Sequence, residues 1–117
     1  MPDFEYKGKA FYNPVEFALE KIGGRWKMPI LWRLQHKVYR TGELKRDIKG
    51  ISQKMLTQQL RELEKDGYIN RKVYPEVPPR VEYSITKVGR TTIPIIDTLR
   101  KWGISEMKRE GIDLTNK

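Results

Sequence analysis

The sequence predicts an α+β domain, mostly helical, and three observations predict it. Two helices are joined through the Gly-containing turn Lys49-Gly50, the second of them polar on one side. Two short β-type runs follow, at residues 68–74 and 81–85, with a proline-rich tip between them. Helices with apolar stripes stand at both ends of the chain. Together these give a winged helix-turn-helix with N- and C-terminal dimerisation helices.

At 117 residues the chain suits one domain, read as a loose arm at 1–12, a folded part at 13–110 and a tail at 111–117. The 38% hydrophobic and 10% aromatic content is too high for a disordered tail. No apolar run reaches the ~20 residues of a membrane span, and the start has neither a basic leader nor an apolar stretch. A cytoplasmic location is therefore expected. With 0 cysteines, disulfides, thiolate catalysis and sulfur-ligated zinc are excluded.

The helices have local start and stop signals. Asn13 caps a first helix with Pro14 at its first position and Glu16 in its first turn, and Gly23-Gly24 ends it. Val15, Ala18, Leu19 and Ile22 form its apolar stripe. A second helix is expected over 26–35, with Trp26 and Trp32 as packing residues. A third opens with Thr41 as its cap and ends near Ile48, and Ile51 is a buried corner. Ser52 starts a longer helix to about Asp66, stopped by Gly67. In the hairpin, Pro75, Pro78 and Pro79 cannot donate to a ladder, so their segment is a stiff tip. Thr86 caps a last helix to about Lys108, which Pro94 should kink.

The segment that carries function is the helix opening at Ser52. On a wheel at ~100° per residue, Leu56, Leu60 and Leu63 share one side, while Gln53, Lys54, Thr57, Gln58 and Arg61 cluster on another. Glutamine can bond adenine through two contacts, lysine can reach guanine or phosphate, and threonine offers a hydroxyl and a methyl. Further on, Glu62, Glu64 and Lys65 look like an ordinary solvated surface. The strands carry Arg71 and Lys72, and the tip ends in Arg80, a basic wing that could hold phosphates or enter the minor groove. Ser52, Gln53, Lys54, Thr57, Gln58, Arg61, Arg71, Lys72 and Arg80 are the expected contacts, Arg80 ahead of its two neighbours. Arg25, Lys27, Arg40 and Lys45 either reach phosphates or are solvated.

Charge agrees with an anionic partner. The net charge is +9. Residues 37–72 hold ten basic and five acidic side chains, against six and four before them and eight and six after. Basic surface attracts polyanions but does not by itself separate DNA, RNA and anionic membranes. The apolar residues of the outer helices, Ile93, Ile95, Ile96, Leu99 and Trp102 among them, serve either as core or as a dimer interface. Two-fold pairing would set two reading helices about 34 Å apart on a palindromic site.

Several stretches resemble the HxlR-type family of bacterial winged-helix regulators, relatives of the MarR group. They are Asn13-Pro14-Val15-Glu16-Phe17-Ala18-Leu19, Ile22-Gly23-Gly24-Arg25-Trp26-Lys27, Gly42-Glu43-Leu44, the run from Ile51 to Thr57, Leu60-Arg61-Glu62-Leu63-Glu64, Asp66-Gly67-Tyr68-Ile69, the run from Val77 to Tyr83, and Thr86 with Gly89 and Trp102-Gly103. The resemblance covers about residues 12–108. It implies a homodimer, a winged-helix fold, and repression or activation of nearby genes. Many members carry a sensing cysteine just before Pro-Val-Glu; here Asn13 stands there. Thr41 also replaces a common aromatic residue.

Other functions fit less well. His36 is the only histidine and has no partner spacing, and no phosphate loop, nucleophile motif or metal-ligand pattern occurs, so neither catalysis, cofactor nor metal is expected. An RNA-binding winged helix is the alternative, but the basic middle lacks an aromatic stacking platform. Double-stranded DNA is the expected partner, with a second copy of the chain and, beyond them, an effector that has no signature here.

Overall fold

The computed structural model describes residues 1–113. Its first element corrects the expectation of a loose arm. β1 (Phe4–Tyr6) and β2 (Lys9–Phe11) form an antiparallel hairpin, with Phe4 opposite Phe11 and Tyr6 opposite Lys9. The two-residue turn has positive φ at both positions, 49° at Lys7 and 78° at Gly8, the geometry that matches strand twist. So short a hairpin is unstable alone. It is held by aromatic packing, since the Phe17 ring lies 5.5 Å from Phe4, 5.2 Å from Tyr6 and 5.2 Å from Phe11.

Phe17 belongs to α1 (Pro14–Ile22), whose start is as expected: Asn13 Oδ1 accepts the Glu16 N–H at 2.8 Å. Most of the stripe on α1 is not core, however. Ile22 is buried, while Val15 and Leu19 are 67% and 56% exposed. α2 (Lys27–Leu34) buries Ile30, Leu31 and Leu34, with Trp26 and Trp32 packed at the core margin.

A two-residue strand, β3 (Tyr39–Arg40), runs directly into α3 (Thr41–Asp47). Arg40, not Thr41, is the cap: its N–H donates to Glu43 Oε1 at 2.9 Å, and Thr41 is already helical. That bond, with Lys37 next, holds the Glu43 carboxyl below its ordinary pKa. Tyr39 is buried and donates its hydroxyl to Asp47 Oδ2 at 3.1 Å; burial first, and that bond second, push its pKa up. The expected turn at Lys49-Gly50 is present, and Ile51 is buried behind it.

α4 (Gln53–Lys65) inserts Leu56, Leu60 and Leu63 into the core at 0%, 1% and 0% exposure. β4 (Ile69–Tyr74) and β5 (Arg80–Ile85) form the wing, and β3 adds to the other edge of β5, giving the order β3-β5-β4. Tyr39 stands opposite Tyr83, so the helix-turn-helix and the wing share one sheet.

The C-terminal region departs from the expected kinked helix. Thr86 caps as foreseen, its Oγ1 accepting the Gly89 N–H at 2.9 Å and donating to the Gly67 carbonyl at 2.7 Å. The helix it caps, α5 (Lys87–Arg90), ends after one turn, and a separate α6 (Ile93–Arg109) begins with Pro94 in its first turn. In the first turn its missing N–H would have no partner within the helix, so it starts a helix instead of bending one. Only Ile96 of α6 is fully buried; Ile95, Leu99 and Trp102 are 53%, 47% and 64% exposed. The expected tail starts as a cap on α6, where the Ile112 N–H donates to the Met107 carbonyl at 2.8 Å; residues 114–117 lie outside the described residues. Among the described residues no helix is long and apolar enough to cross a membrane.

Candidate nucleic-acid interface

α4 keeps its polar side in solvent because three leucines hold the opposite side in the core. Ser52 caps it from outside, its Oγ accepting the Met55 N–H at 3.0 Å. Gln53, Lys54, Gln58 and Arg61 are exposed and Thr57 is half-buried. With Glu62 they line a shallow groove along the outward face. Two side-chain bonds order that face: Gln53 Nε2 donates to Thr57 Oγ1 at 3.2 Å, and Gln58 Nε2 donates to Glu62 Oε2 at 3.2 Å.

Glu62 is not the solvated residue its sequence neighbours suggested. Its Oε1 lies 2.8 Å from Lys27 Nζ, and Lys27 is only 8% exposed. Lys27 therefore belongs neither to a phosphate contact nor to a solvated surface; it is a buried cation on α2 clamped to α4. The Lys27 ammonium, chiefly, holds the Glu62 carboxyl below its ordinary pKa, with burial opposing it. The i,i+4 spacing of Gln58 and Glu62 was a local signal for their own bond, but the pairing with Lys27, on another helix, had none.

The wing divides its basic residues. Arg71 stands opposite Tyr83 and Lys72 opposite Glu82, so these neighbours project from opposite faces; both are exposed. Arg80 is half-buried and already engaged. It stands across from Tyr74, its guanidinium lies 3.7 Å from that ring centroid, and it pairs with Glu76 at 3.1 Å and Glu82 at 3.7 Å. Lys72 Nζ lies 4.8 Å from the same ring. Glu76, Glu82 and Tyr74 were not expected to hold Arg80. Two-residue spacing on β5 places Glu82 on the face of Arg80, and that alternation was the available signal. Arg25, Arg40 and Lys45 are exposed, and the Arg25 guanidinium stacks 4.6 Å from the Trp26 ring.

The HxlR-like helix-turn-helix family model matches residues 21–111, a span that contains the Gly50 turn, α4 and the wing. The chain belongs to that family. Its relatives include the uncharacterized HTH-type transcriptional regulator YtcD of Bacillus subtilis, 55% identical over 102 residues, covering 86% of this chain and 81% of the relative. Another is an uncharacterized HTH-type transcriptional regulator of Methanothermobacter thermautotrophicus, 54% identical over 89 residues, covering 76% and 68%. Among solved structures, that of ytcD superposes with a TM-score of 0.78 at 54% identity, covering 82% of this chain and 98% of the other. The oxidized redox regulator HypR superposes at 0.75 and 48% identity, covering 80% and 96%. The winged helix-turn-helix fold is thus shared with transcriptional regulators, MarR-family structures among them. This HxlR-like chain has 0 cysteines, so it has no thiol to oxidise, and Asn13 serves as a helix cap.

Proposed function

We propose that the chain is a sequence-specific regulator that binds double-stranded DNA as a homodimer on a palindromic operator. The observation that carries this is the outward side of α4: Gln53, Lys54, Gln58 and Arg61 are exposed, and few acidic groups stand among them. Base edges in the major groove match such amides and cations. Arg71, Lys72 and Arg80 of the wing contact the flanking backbone, Arg80 being aimed by Tyr74 and its two carboxylates.

The dimer reading is supported by α1 and α6. Val15, Leu19, Ile95 and Leu99 line one apolar cleft with Met28 and Pro94, and Trp102 continues the exposed stripe on α6. Exposed apolar area of this kind marks an interface, and a second copy would bury it. A small apolar effector would enter beside that seam, at the neighbouring cleft formed by Met28 and Trp32.

Selection of bound sequences from random duplex DNA tests the proposal. An inverted repeat with half-sites about 10–10.5 base pairs apart, centre to centre, is the expected product. Recovery of unselected sequence, or equal binding of duplex RNA across a salt series, would favour the RNA alternative or reject both.

A further inference from the structure

We infer that Glu62 is a positioning residue for base readout, holding the Gln58 amide so that its carbonyl oxygen and one N–H face outward as an adenine-reading edge. The inference rests on the reading above, that α4 contacts bases. A glutamine amide can turn over and exchange its donor and acceptor ends. The bond to Glu62 biases Gln58 against doing so. Its Nε2 lies 3.2 Å from Glu62 Oε2, and an ionised carboxylate only accepts hydrogen bonds, so the amide must keep its NH2 end toward Glu62. Glu62 cannot drift, because its other oxygen is anchored at 2.8 Å on the buried Lys27.

One of the two amide N–H groups is used by Glu62. The other remains, together with the carbonyl oxygen. Adenine presents an acceptor at N7 and a donor at N6 in the major groove, and this pair satisfies both. Guanine presents two acceptors, so the fixed carbonyl would oppose O6. Gln53 provides an internal contrast. Its Nε2 donates to Thr57 Oγ1 at 3.2 Å, and a hydroxyl both donates and accepts, so that amide is free to turn over. Lys27 also neutralises Glu62, which lets a carboxylate stand beside the reading face without repelling phosphate.

The test compares sequences selected from random duplex DNA by the parent, Gln58→Ala and Glu62→Gln. Glutamine at 62 can donate as well as accept, so it releases the amide. At the position whose preference disappears in Gln58→Ala, the parent should favour adenine over guanine on the order of tenfold. Glu62→Gln should cut that ratio to about twofold or less. The position read by Gln53 should be unchanged, and affinity for random duplex should show only the uniform gain of losing one negative charge. If Glu62→Gln fails to fold, Lys27→Met combined with Glu62→Gln removes both charges and gives the same readout. An undiminished adenine preference in Glu62→Gln, or in the pair, overturns the inference. So does a parent that selects a sequence in which Gln58→Ala alters no position. A parent that selects nothing overturns the DNA-reading proposal, and this inference with it.

Discussion

Gly89 in α5 lies directly against the backbone carbonyl of Tyr68, at the start of the wing, with no space for a side chain between them. A Cβ on Gly89 would collide with that oxygen and stand 2.8 Å from Ile85 Cγ1. The Thr86 N–H donates to the same carbonyl at 3.0 Å, so the wing base and α5 are fixed on one atom. Gly89→Ala is expected to destabilise the fold by about 1–3 kcal/mol, the range for overpacking a closed site. Urea unfolding measures it, and an unchanged midpoint would show that the contact relaxes.

Ser52 separates the stability of α4 from its binding. Ser52→Ala removes the acceptor for the Met55 N–H and should cost about 1 kcal/mol in urea unfolding. Ser52→Asp keeps an acceptor and should keep most of the stability, yet its carboxylate would meet phosphate at the helix start. Binding to every duplex should then fall, whatever the sequence. Equal DNA binding by parent and Ser52→Asp would place the helix start away from the backbone.

These two sites show what a sequence makes legible. The Ser52 cap, the leucine stripe of α4 and the turn at Gly50 are local signals, spaced by helical geometry, and they agree with the structure. The N-terminal hairpin is not local: Phe4 and Phe11 need Phe17, six residues beyond the second strand, before three-residue strands become stable. β3 likewise exists only because Tyr39 finds Tyr83 across the chain. Pro94 was expected to kink one long helix and instead stands in the first turn of a new one, because Thr86–Thr92 closes first as a separate turn. The exposed side of α4 could be read from residue types alone. The partner that orients it, Lys27 on Glu62, comes from another helix, and in the wing Tyr74 lies under Arg80 from the opposite strand.

The dimer proposal predicts that Leu19→Asp or Leu99→Asp converts the protein to a monomer in light scattering. Both side chains are about half exposed in the single chain, so a charge there leaves the core intact, and thermal unfolding of the dilute protein should still be cooperative. A parent that is monomeric at working concentration would contradict the proposal.

Arg80 should act on all sequences alike. Arg80→Ala leaves Glu76 and Glu82 without their cation, turning that face of the wing more negative. Affinity for specific and random duplex should fall together, with the salt slope reduced by about one. An unchanged slope and affinity would confine Arg80 to bracing the wing.

The ion pair between Lys27 and Glu62 sets a pH dependence. The native Glu62 pKa is lowered, so its stabilisation is present above the ordinary carboxylate pKa and is lost as pH falls through the lowered value. Because Glu62 is 43% exposed, the effect is about 1 kcal/mol or less after solvent screening. Glu62→Gln should therefore lower the urea midpoint at pH 7, and the gap to the parent should close as the pH drops below the usual carboxylate range. A gap that widens on acidification would contradict the assigned direction.

The most direct test of the account is the ratio of affinities for selected and random duplex, measured for the parent and for a variant with Gln53, Lys54 and Gln58 all changed to alanine. These side chains are at the surface of α4, so thermal stability should be retained while the ratio collapses toward one. A variant that folds and keeps the parent ratio would mean that sequence is read elsewhere.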